Sequence, residues 1–189
     1  MYNLKIITST VRPTRKGPIV ADWITKAAKQ HRGFKVDTFY LGEINLPMMN
    51  EQHHPMLKKY EKEHTKQWSA KIEEADAFIF VTAEYNHSYP APLRNALQYL
   101  SNEWAYKAAG IVSYGGVSAG TRAFNDLKGD LSTLSVVPLV QAVHIPFFTQ
   151  FINDEELFTP NDPLKKSTVT MLDELERWSD GMKIIRENN

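Results

Sequence analysis

The sequence predicts a doubly wound α/β fold with a parallel β-sheet. Short runs of apolar, β-favouring residues alternate along the chain with longer runs whose apolar residues have helical spacing. Residues 77–81 are apolar throughout, as in strands that are buried on both faces of a parallel sheet. Since the 189 residues contain no repeats, low-complexity tracts or linkers, we expect a single domain over residues 1–189.

The strands are predicted at regular intervals along the chain. They cover residues 4–8, 34–41, 77–81 and 108–114, with a fifth strand region containing residues 136–137 and 143–145. Pro138 in that region indicates an edge strand or a bulge, because proline cannot donate a ladder hydrogen bond. A helix with Pro18 in its first position follows the first strand. Further helices are predicted at residues 57–75, 91–100, 121–134 and about 164–185, the last packing on the domain, and residues 42–55 are expected to form a loop.

Five strands in a chain of this length favour the flavodoxin-like strand order 2-1-3-4-5. That order places strands one, three and four side by side. The loops at their carboxyl ends then meet at one crevice, which is where ligands bind in sheets of this kind. These loops are Ser9–Gly17, Glu84–Ser88 and Gly115–Ser118.

The loop after the first strand has the composition of a phosphate site. Its hydroxyls and cations are Ser9, Thr10, Arg12, Thr14, Arg15 and Lys16. A helix follows Gly17, and the free N–H groups and positive dipole of a helix N-terminus attract anions. Arginine can also grip a phosphate through two parallel hydrogen bonds. The alternative is an ordinary basic loop in solvent.

The loop after the third strand begins with an acid, an aromatic ring and an amide, Glu84, Tyr85 and Asn86. Together they offer a flat surface with hydrogen-bonding edges, which suits a planar ligand with polar edges. The alternative is a simple turn capped by Asn86 or Ser88.

Composition excludes several classes of protein. Lys plus Arg is 22 and Asp plus Glu is 22, and this zero net charge argues against nucleic-acid or anionic-membrane binding. The absence of cysteine excludes disulfides, thiolate metal sites and a cysteine nucleophile. Any redox chemistry therefore needs a bound organic cofactor or a non-thiolate metal. With no signal-peptide pattern after Met1 and no apolar run long enough for a bilayer, we expect a cytoplasmic protein.

His53 and His54 lie near Glu51, and His64 follows. These are metal-ligand residue types, but adjacent side chains on regular structure do not point the same way. We therefore expect no metal site.

A serine hydrolase is one alternative function. Residues 116–120, Gly116-Val117-Ser118-Ala119-Gly120, match the Gly-x-Ser-x-Gly elbow between a strand and a helix. The acid and histidine should follow in that order, and the last histidine is His144. Only Asp126 and Asp130 could then serve as the acid. Both fall on the helix directly after the elbow, which is a poor position from which to orient a histidine.

The chain resembles the NAD(P)H-dependent FMN reductases, a flavodoxin-like family that includes quinone, azo-dye and chromate reductases. The family's Ser-x-Arg loop resembles Thr10-Val11-Arg12, its Pro-Glu-Tyr-Asn segment resembles residues 83–86, and its glycine-rich loop resembles residues 113–116. The resemblance runs from the first strand to about Phe148. Ala83 replaces the usual proline, and Arg15 stands where many members have a second serine.

The resemblance implies an FMN-dependent oxidoreductase that takes hydride from NAD(P)H and passes two electrons to a small acceptor such as a quinone or azo compound. The cofactor would carry the chemistry, so no side chain is assigned a catalytic role. The FMN phosphate would bind Ser9, Thr10, Arg12 and Arg15 ahead of Gly17. The ring would lie against the Glu84–Ser88 loop, with Ser113, Gly115 and Gly116 on its other side. The residues implied to bind FMN are Ser9, Thr10, Arg12, Arg15, Gly17, Glu84, Tyr85, Asn86, Ser88, Ser113, Gly115 and Gly116.

The resemblance also implies a homodimer, or a dimer of dimers, formed through the helix after the Glu84–Ser88 loop. Tyr89, Tyr99, Trp104 and Tyr106 lie in or near that helix, and aromatic residues are enriched at interfaces. A flavodoxin-type electron carrier remains a further alternative. Such carriers are commonly acidic, whereas this chain has no net charge.

Overall fold

The computed structural model describes residues 1–188 and has a parallel β-sheet at its centre. The strands are β1 (Tyr2–Thr8), β2 (Phe34–Tyr40), β3 (Ala77–Ala83), β4 (Ala108–Tyr114), β5 (Val137–Pro138) and β6 (Val143–Ile145). The order is β2-β1-β3-β4-β5, β6 also pairs with β4, and every pairing is parallel. The predicted flavodoxin-like order 2-1-3-4-5 is confirmed.

The fifth strand is divided into two short pieces on the same edge of the sheet. β5 pairs with Ala108 and Ala109, whereas β6 pairs with Val112 to Tyr114 further along β4. Pro138 has no N–H to donate and lies in β5 at this edge, as the sequence predicted.

The helices are α1 (Gly17–Gln30), α2 (Leu41–Ile44), α3 (Glu63–Glu73), α4 (Ala91–Gln98), α5 (Thr121–Thr133) and α6 (Asp162–Glu187). Two of the sequence-based boundaries were wrong. The loop over residues 42–55 contains the end of α2. The predicted helix from residue 57 begins only at Glu63, because Pro55–Leu57 forms a separate 3-10 turn and Lys58 has a left-handed backbone, with φ 50°.

Two hydrophobic cores lie on opposite faces of the sheet. Leu4, Ile6 and Ile79 face α1 and α6, whereas Ile7, Phe78 and Phe80 face α3, α4 and α5, as the alternation of side chains along a strand requires. β3 and β4 are buried along their whole length. Both faces are therefore covered by helices of the same chain, and α6 packs directly against β4.

The aromatic residues near α4 do not form an exposed surface, contrary to expectation. Tyr89, Tyr99 and Trp104 are buried within the chain, and only Tyr106 is substantially exposed, at 45%. The Tyr99 hydroxyl donates to the carbonyl of Pro47 at 3.1 Å, and the Trp104 indole donates to a carbonyl of α4 at 3.2 Å. The homodimer stays a prediction, and these side chains do not support it.

Within residues 1–188, none of the helices combines the length and the apolar character needed to traverse a bilayer.

Candidate functional site

The three loops at the carboxyl ends of β1, β3 and β4 meet around one cavity of about 150 Å³. Its lining comes from all three loops and from the start of the 148–151 turn. The lining residues are Thr10, Arg12, Thr14, Arg15, Lys16, Ala83, Glu84, Tyr85, Tyr114, Gly115 and Phe148. The predicted convergence of the loops is thus confirmed. Of the residues predicted to bind a cofactor, Thr10, Arg12, Arg15, Glu84, Tyr85 and Gly115 line the cavity.

The last residue of β1 and the loop after it hold buried polar atoms that lack partners. Thr8 Oγ1, Thr10 Oγ1 and Arg15 Nε are buried and make no hydrogen bond, although such groups are nearly always paired in folded proteins. The first turn of α1 contains no acidic residue, and no side chain caps it. Thr10 and Arg15 both line the cavity, and they lie directly ahead of the N-terminus of α1. An anionic group bound there would satisfy their unpaired atoms.

Gly17 allows the loop and β4 to approach each other closely. A Cβ atom there would lie 2.6 Å from the Tyr114 hydroxyl and would also overlap Thr10 Oγ1. Only glycine fits at the start of α1 without displacing these side chains. Its role in the structure is therefore close packing beside the cavity.

The hydroxyls of two serines that were predicted to bind the cofactor form hydrogen bonds inside the fold. Ser9 Oγ accepts a hydrogen bond from the Ala83 N–H at 3.2 Å and joins the end of β1 to β3. Ser113 is buried, donates to the carbonyl of Ala119 at 2.9 Å, and lies 2.7 Å from His144 Nδ1. Neither serine lines the cavity.

Residues 85–88 form a tight turn with two left-handed residues at its centre. Tyr85 and Ser88 exchange backbone hydrogen bonds of 2.8 and 2.9 Å, and φ is 48° at Asn86 and 68° at His87. Positive φ at both central positions defines a type I′ turn, which asparagine tolerates better than most residues. The turn presents the Tyr85 ring to Arg12, whose guanidinium lies 5.9 Å from the ring centroid. Asn86 is exposed at the tip.

The Glu84 carboxylate forms an ion pair with an arginine that was not predicted to belong to the site. Arg122, at the start of α5, donates from Nε to Glu84 Oε1 at 2.7 Å and from its backbone N–H to Oε2 at 3.2 Å. Burial raises the pKa of Glu84, but hydrogen bonds from Arg122 and Ser118 outweigh it and hold the pKa below its usual value. An arginine placed just after the glycine-rich loop was the available signal.

The serine-hydrolase geometry is not assembled. His144, the last histidine of the chain, bonds to Ser113 rather than to Ser118 of the elbow. Burial lowers the pKa of His144, so its imidazole is neutral at pH 7. Ser118 instead lies near enough to the Glu84 carboxylate to help lower its pKa. A nucleophilic serine needs a histidine within hydrogen-bond reach to take its proton.

The family model of the NADPH-dependent FMN reductases matches residues 3–150 of the chain. The chain belongs to this family. It is 38% identical over 145 residues to an NAD(P)H-dependent FMN reductase of Schizosaccharomyces pombe, covering 75% of this chain and 72% of that protein. A second NAD(P)H-dependent FMN reductase, from Saccharomyces cerevisiae, is 31% identical over 142 residues, covering 69% and 74%. An NADPH:quinone oxidoreductase of Arabidopsis thaliana is 50% identical over 61 residues, 31% of each chain.

Among solved structures, the fold is similar to that of FerB, a flavoenzyme NAD(P)H:(acceptor) oxidoreductase from Paracoccus denitrificans. The TM-score is 0.78 at 21% identity, covering 96% of this chain and 99% of that chain. As a member of the NADPH-dependent FMN reductase family, the protein is an FMN-dependent NAD(P)H oxidoreductase, and its fold is flavodoxin-like. The cavity fits that family, because the unpaired Thr10 hydroxyl and Arg15 Nε belong to residues that line it and lie ahead of an uncapped helix, where a phosphate group can bind.

Tyr114 and Phe148 also line the cavity, and the sequence analysis gave neither a role in the site. Their ring centroids are 4.8 Å apart, and the Phe148 N–H donates to the carbonyl of Gly115 at 3.3 Å. Tyr114 lies inside the Ser-Tyr-Gly-Gly motif, so its position was available as a signal. Phe148 is brought in by the chain after β6, which has no readable motif.

Proposed function

We propose that the reductase binds FMN in the crevice at the carboxyl ends of β1, β3 and β4 and reduces a small, neutral, ring-containing acceptor such as a quinone or azo compound with NAD(P)H. Bound FMN supplies the hydride and electron-transfer chemistry. The observation that carries the proposal is the convergence of three loops on one cavity beside buried hydroxyls and a guanidinium that lack partners.

At the phosphate end, we assign Thr10, Arg12, Arg15 and the N-terminus of α1 to the anion. The two guanidiniums supply charge, and Thr10 supplies a hydroxyl that is otherwise unpaired. Lys16 lines the same cavity but forms an ion pair with Glu156. Ser9 and Gly17 support this end from within the fold, through the β1–β3 hydrogen bond and through close packing.

At the ring end, the 84–88 turn and Gly115 form the two sides of the crevice. Gly115 has no side chain, so the backbone can approach a flat ligand closely. Tyr85 supplies an aromatic surface, and Asn86 supplies an amide at the tip of the turn. Ser88 and Ser113 hold their loops in place, and Gly116 binds the N–H groups of Ala119 and Phe147 through its carbonyl.

A second cavity, of about 200 Å³, is suited to the acceptor. Val11 lines it and lies between Thr10 and Arg12 of the first cavity. The remaining lining residues are Leu41, Asn45, Leu46, Met48, Ala91, Pro92 and Asn95. The Asn95 amide is already used, because it donates to Pro47 O at 2.7 Å and accepts from Met49 N at 2.8 Å. An apolar cavity with no cation among its lining residues favours a neutral ring over an oxyanion.

We also propose that the single domain works in the cytosol as a homodimer or a dimer of dimers. Met48, Met56 and Leu57, in the segment before α3, are exposed by 76, 61 and 57%. Exposed apolar side chains concentrated in one segment of the chain are candidates for an interface. Since Met48 also lines the acceptor cavity, a partner covering this segment would close that cavity from solvent.

The proposal is tested with purified protein reconstituted with FMN. We expect a flavin absorption spectrum and steady oxidation of NADPH or NADH when a quinone is added. An electron carrier would bind FMN but would turn over NAD(P)H poorly without a partner protein. Failure to bind FMN would refute the assigned crevice, and activity with Val11→Arg equal to that of the unaltered protein would refute the assigned acceptor cavity.

A further inference from the structure

One face of α5 holds the whole segment that follows β3. Residues 122, 126 and 130 are spaced i, i+4 and i+8, which places them on the same side of the helix. Arg122 binds Glu84, Asp126 accepts from the Ser88 hydroxyl, and Asp130 accepts from the Tyr89 hydroxyl. Asp130 also pairs with Arg94 of α4 at 2.8 Å. The 84–94 segment is thus attached to α5 at three successive turns.

Arg122 differs from Asp126 and Asp130 because its partner, Glu84, lines the cavity. The Glu84 side chain is only 7% exposed and lines the cavity, whereas the Arg122 side chain is 48% exposed. The Glu84 N–H donates to the carbonyl of Tyr114 at 3.1 Å, so the backbone also holds Glu84 against β4. A carboxylate that is nearly removed from water and has lost its cation is strongly unfavourable.

The charge of Glu84 bears on the cofactor site. Two-electron reduction of FMN by the hydride of NAD(P)H, with no further proton, adds one negative charge to the flavin. A bare carboxylate beside the crevice would oppose that added charge, and Arg122 cancels it. Arg12, the other guanidinium near this turn, lies over the Tyr85 ring.

We propose that Arg122 is a positioning residue that also sets the reduction potential of the bound flavin, by neutralising Glu84 at the edge of the crevice. The proposal rests on the FMN site assigned above. Removing Arg122 leaves an uncompensated negative charge, so reduced FMN is bound less well relative to oxidised FMN and the potential falls. Removing the charge of Glu84 leaves Arg122 uncompensated, so the potential rises. The rise is smaller because Arg122 is half exposed and solvent screens its charge.

The test is the midpoint potential of bound FMN, measured by spectroelectrochemistry in the holoprotein. For Arg122→Met we expect reduced FMN to bind about tenfold less tightly relative to oxidised FMN, which is a fall of about 30 mV for a two-electron couple. For Glu84→Gln we expect a rise, and the double variant should return close to the original value. Arg122→Lys keeps the charge and should restore most of the potential.

Ser88→Ala is the matched control, because it removes the Ser88–Asp126 bond of the same row without changing any charge. It should weaken oxidised and reduced FMN alike and leave the potential unchanged. Shifts of the same sign in Arg122→Met and Glu84→Gln, or no shift in either, would overturn the proposal. If Arg122→Met does not fold, Glu84→Gln and Arg122→Lys still decide it. Failure of the unaltered protein to bind FMN would instead refute the assigned site.

Discussion

Arg12→Ala tests the phosphate end of the crevice most directly. Arg12 lines the 150 Å³ cavity and belongs to the same loop as the unpaired Thr10 hydroxyl and Arg15 Nε. A hydrogen bond to a charged group contributes about 1.5–3 kcal/mol. Since about 1.4 kcal/mol corresponds to tenfold in affinity, we expect the dissociation constant of FMN to rise roughly tenfold to a hundredfold.

The assay is a titration of apoprotein with FMN, followed by flavin fluorescence, and riboflavin provides the matched ligand. Riboflavin has the same ring without the phosphate, so its affinity should change much less in Arg12→Ala than that of FMN. The loss should also shrink at high salt, because charge–charge contributions at a partly exposed site are screened.

Lys26→Ala is the control variant for this experiment. It removes an exposed cation from α1, outside the residues that line the cavity, and should leave both affinities unchanged. If Arg12→Ala leaves FMN binding unaltered, or weakens riboflavin and FMN equally, the phosphate lies elsewhere and the reasoning from the unpaired groups is wrong.

Four further outcomes are expected. Ser118→Ala should retain most quinone reductase activity, and an esterase activity that is present in the unaltered protein and lost in the variant would revive the hydrolase alternative. The pKa of Glu84 is lower in the folded protein than its value of about 4.3 in the unfolded chain, so the ionised carboxylate stabilises the fold above about pH 4.3, and this stabilisation is lost as pH falls through the folded pKa. In guanidinium unfolding, the difference in free energy of unfolding between the unaltered protein and Glu84→Gln should therefore be constant from pH 5 to 7 and shrink below about pH 4. Lys107→Met should lower the free energy of unfolding by about 1–3 kcal/mol, and each kcal/mol should lower Tm by roughly 2–4 °C. The reason is that the buried Lys107 Nζ donates to the carbonyls of Ile72, Glu73 and Glu103 at 2.8, 3.1 and 2.7 Å. Lys58→Met removes one exposed ion pair and should lower the free energy of unfolding far less. Light scattering should find a dimer or tetramer that Met56→Glu weakens with little effect on thermal stability, and a fully active monomer would contradict the proposed assembly.

Much of the fold could be predicted from the sequence because it rests on local patterns. The fully apolar run at residues 77–81 indicated a strand buried on both faces, and that strand lies beside β1 and β4 in the sheet. Pro18 marked the first turn of α1, and Pro138 marked the edge of the sheet. The strand order then brought three loops together, since the carboxyl ends of neighbouring parallel strands share one edge. These features depend on residues that are close in sequence.

The residue types in the three loops were visible in the sequence, but their hydrogen-bond partners were not. Ser9 and Ser113 were expected to face the cofactor. Instead, the Ser9 hydroxyl is hydrogen-bonded to Ala83, and the Ser113 hydroxyl is hydrogen-bonded to Ala119 and His144. Whether a short polar side chain faces a cavity or the backbone of the next strand depends on the register between strands. That register is set by packing along the whole sheet.

The class of fold, the order of its strands and the three loops that form the site could all be predicted from the residues along the chain. The burial of Tyr99 and the pairing of Glu84 with Arg122 could be seen only in the folded protein. The Tyr99 hydroxyl bonds to Pro47, about fifty positions earlier in the chain. Glu84 follows β3, and its partner Arg122 follows the loop after β4. Local periodicity reports which side of an element is apolar. It carries no information about which distant group will occupy the space opposite, because that depends on how the elements pack together.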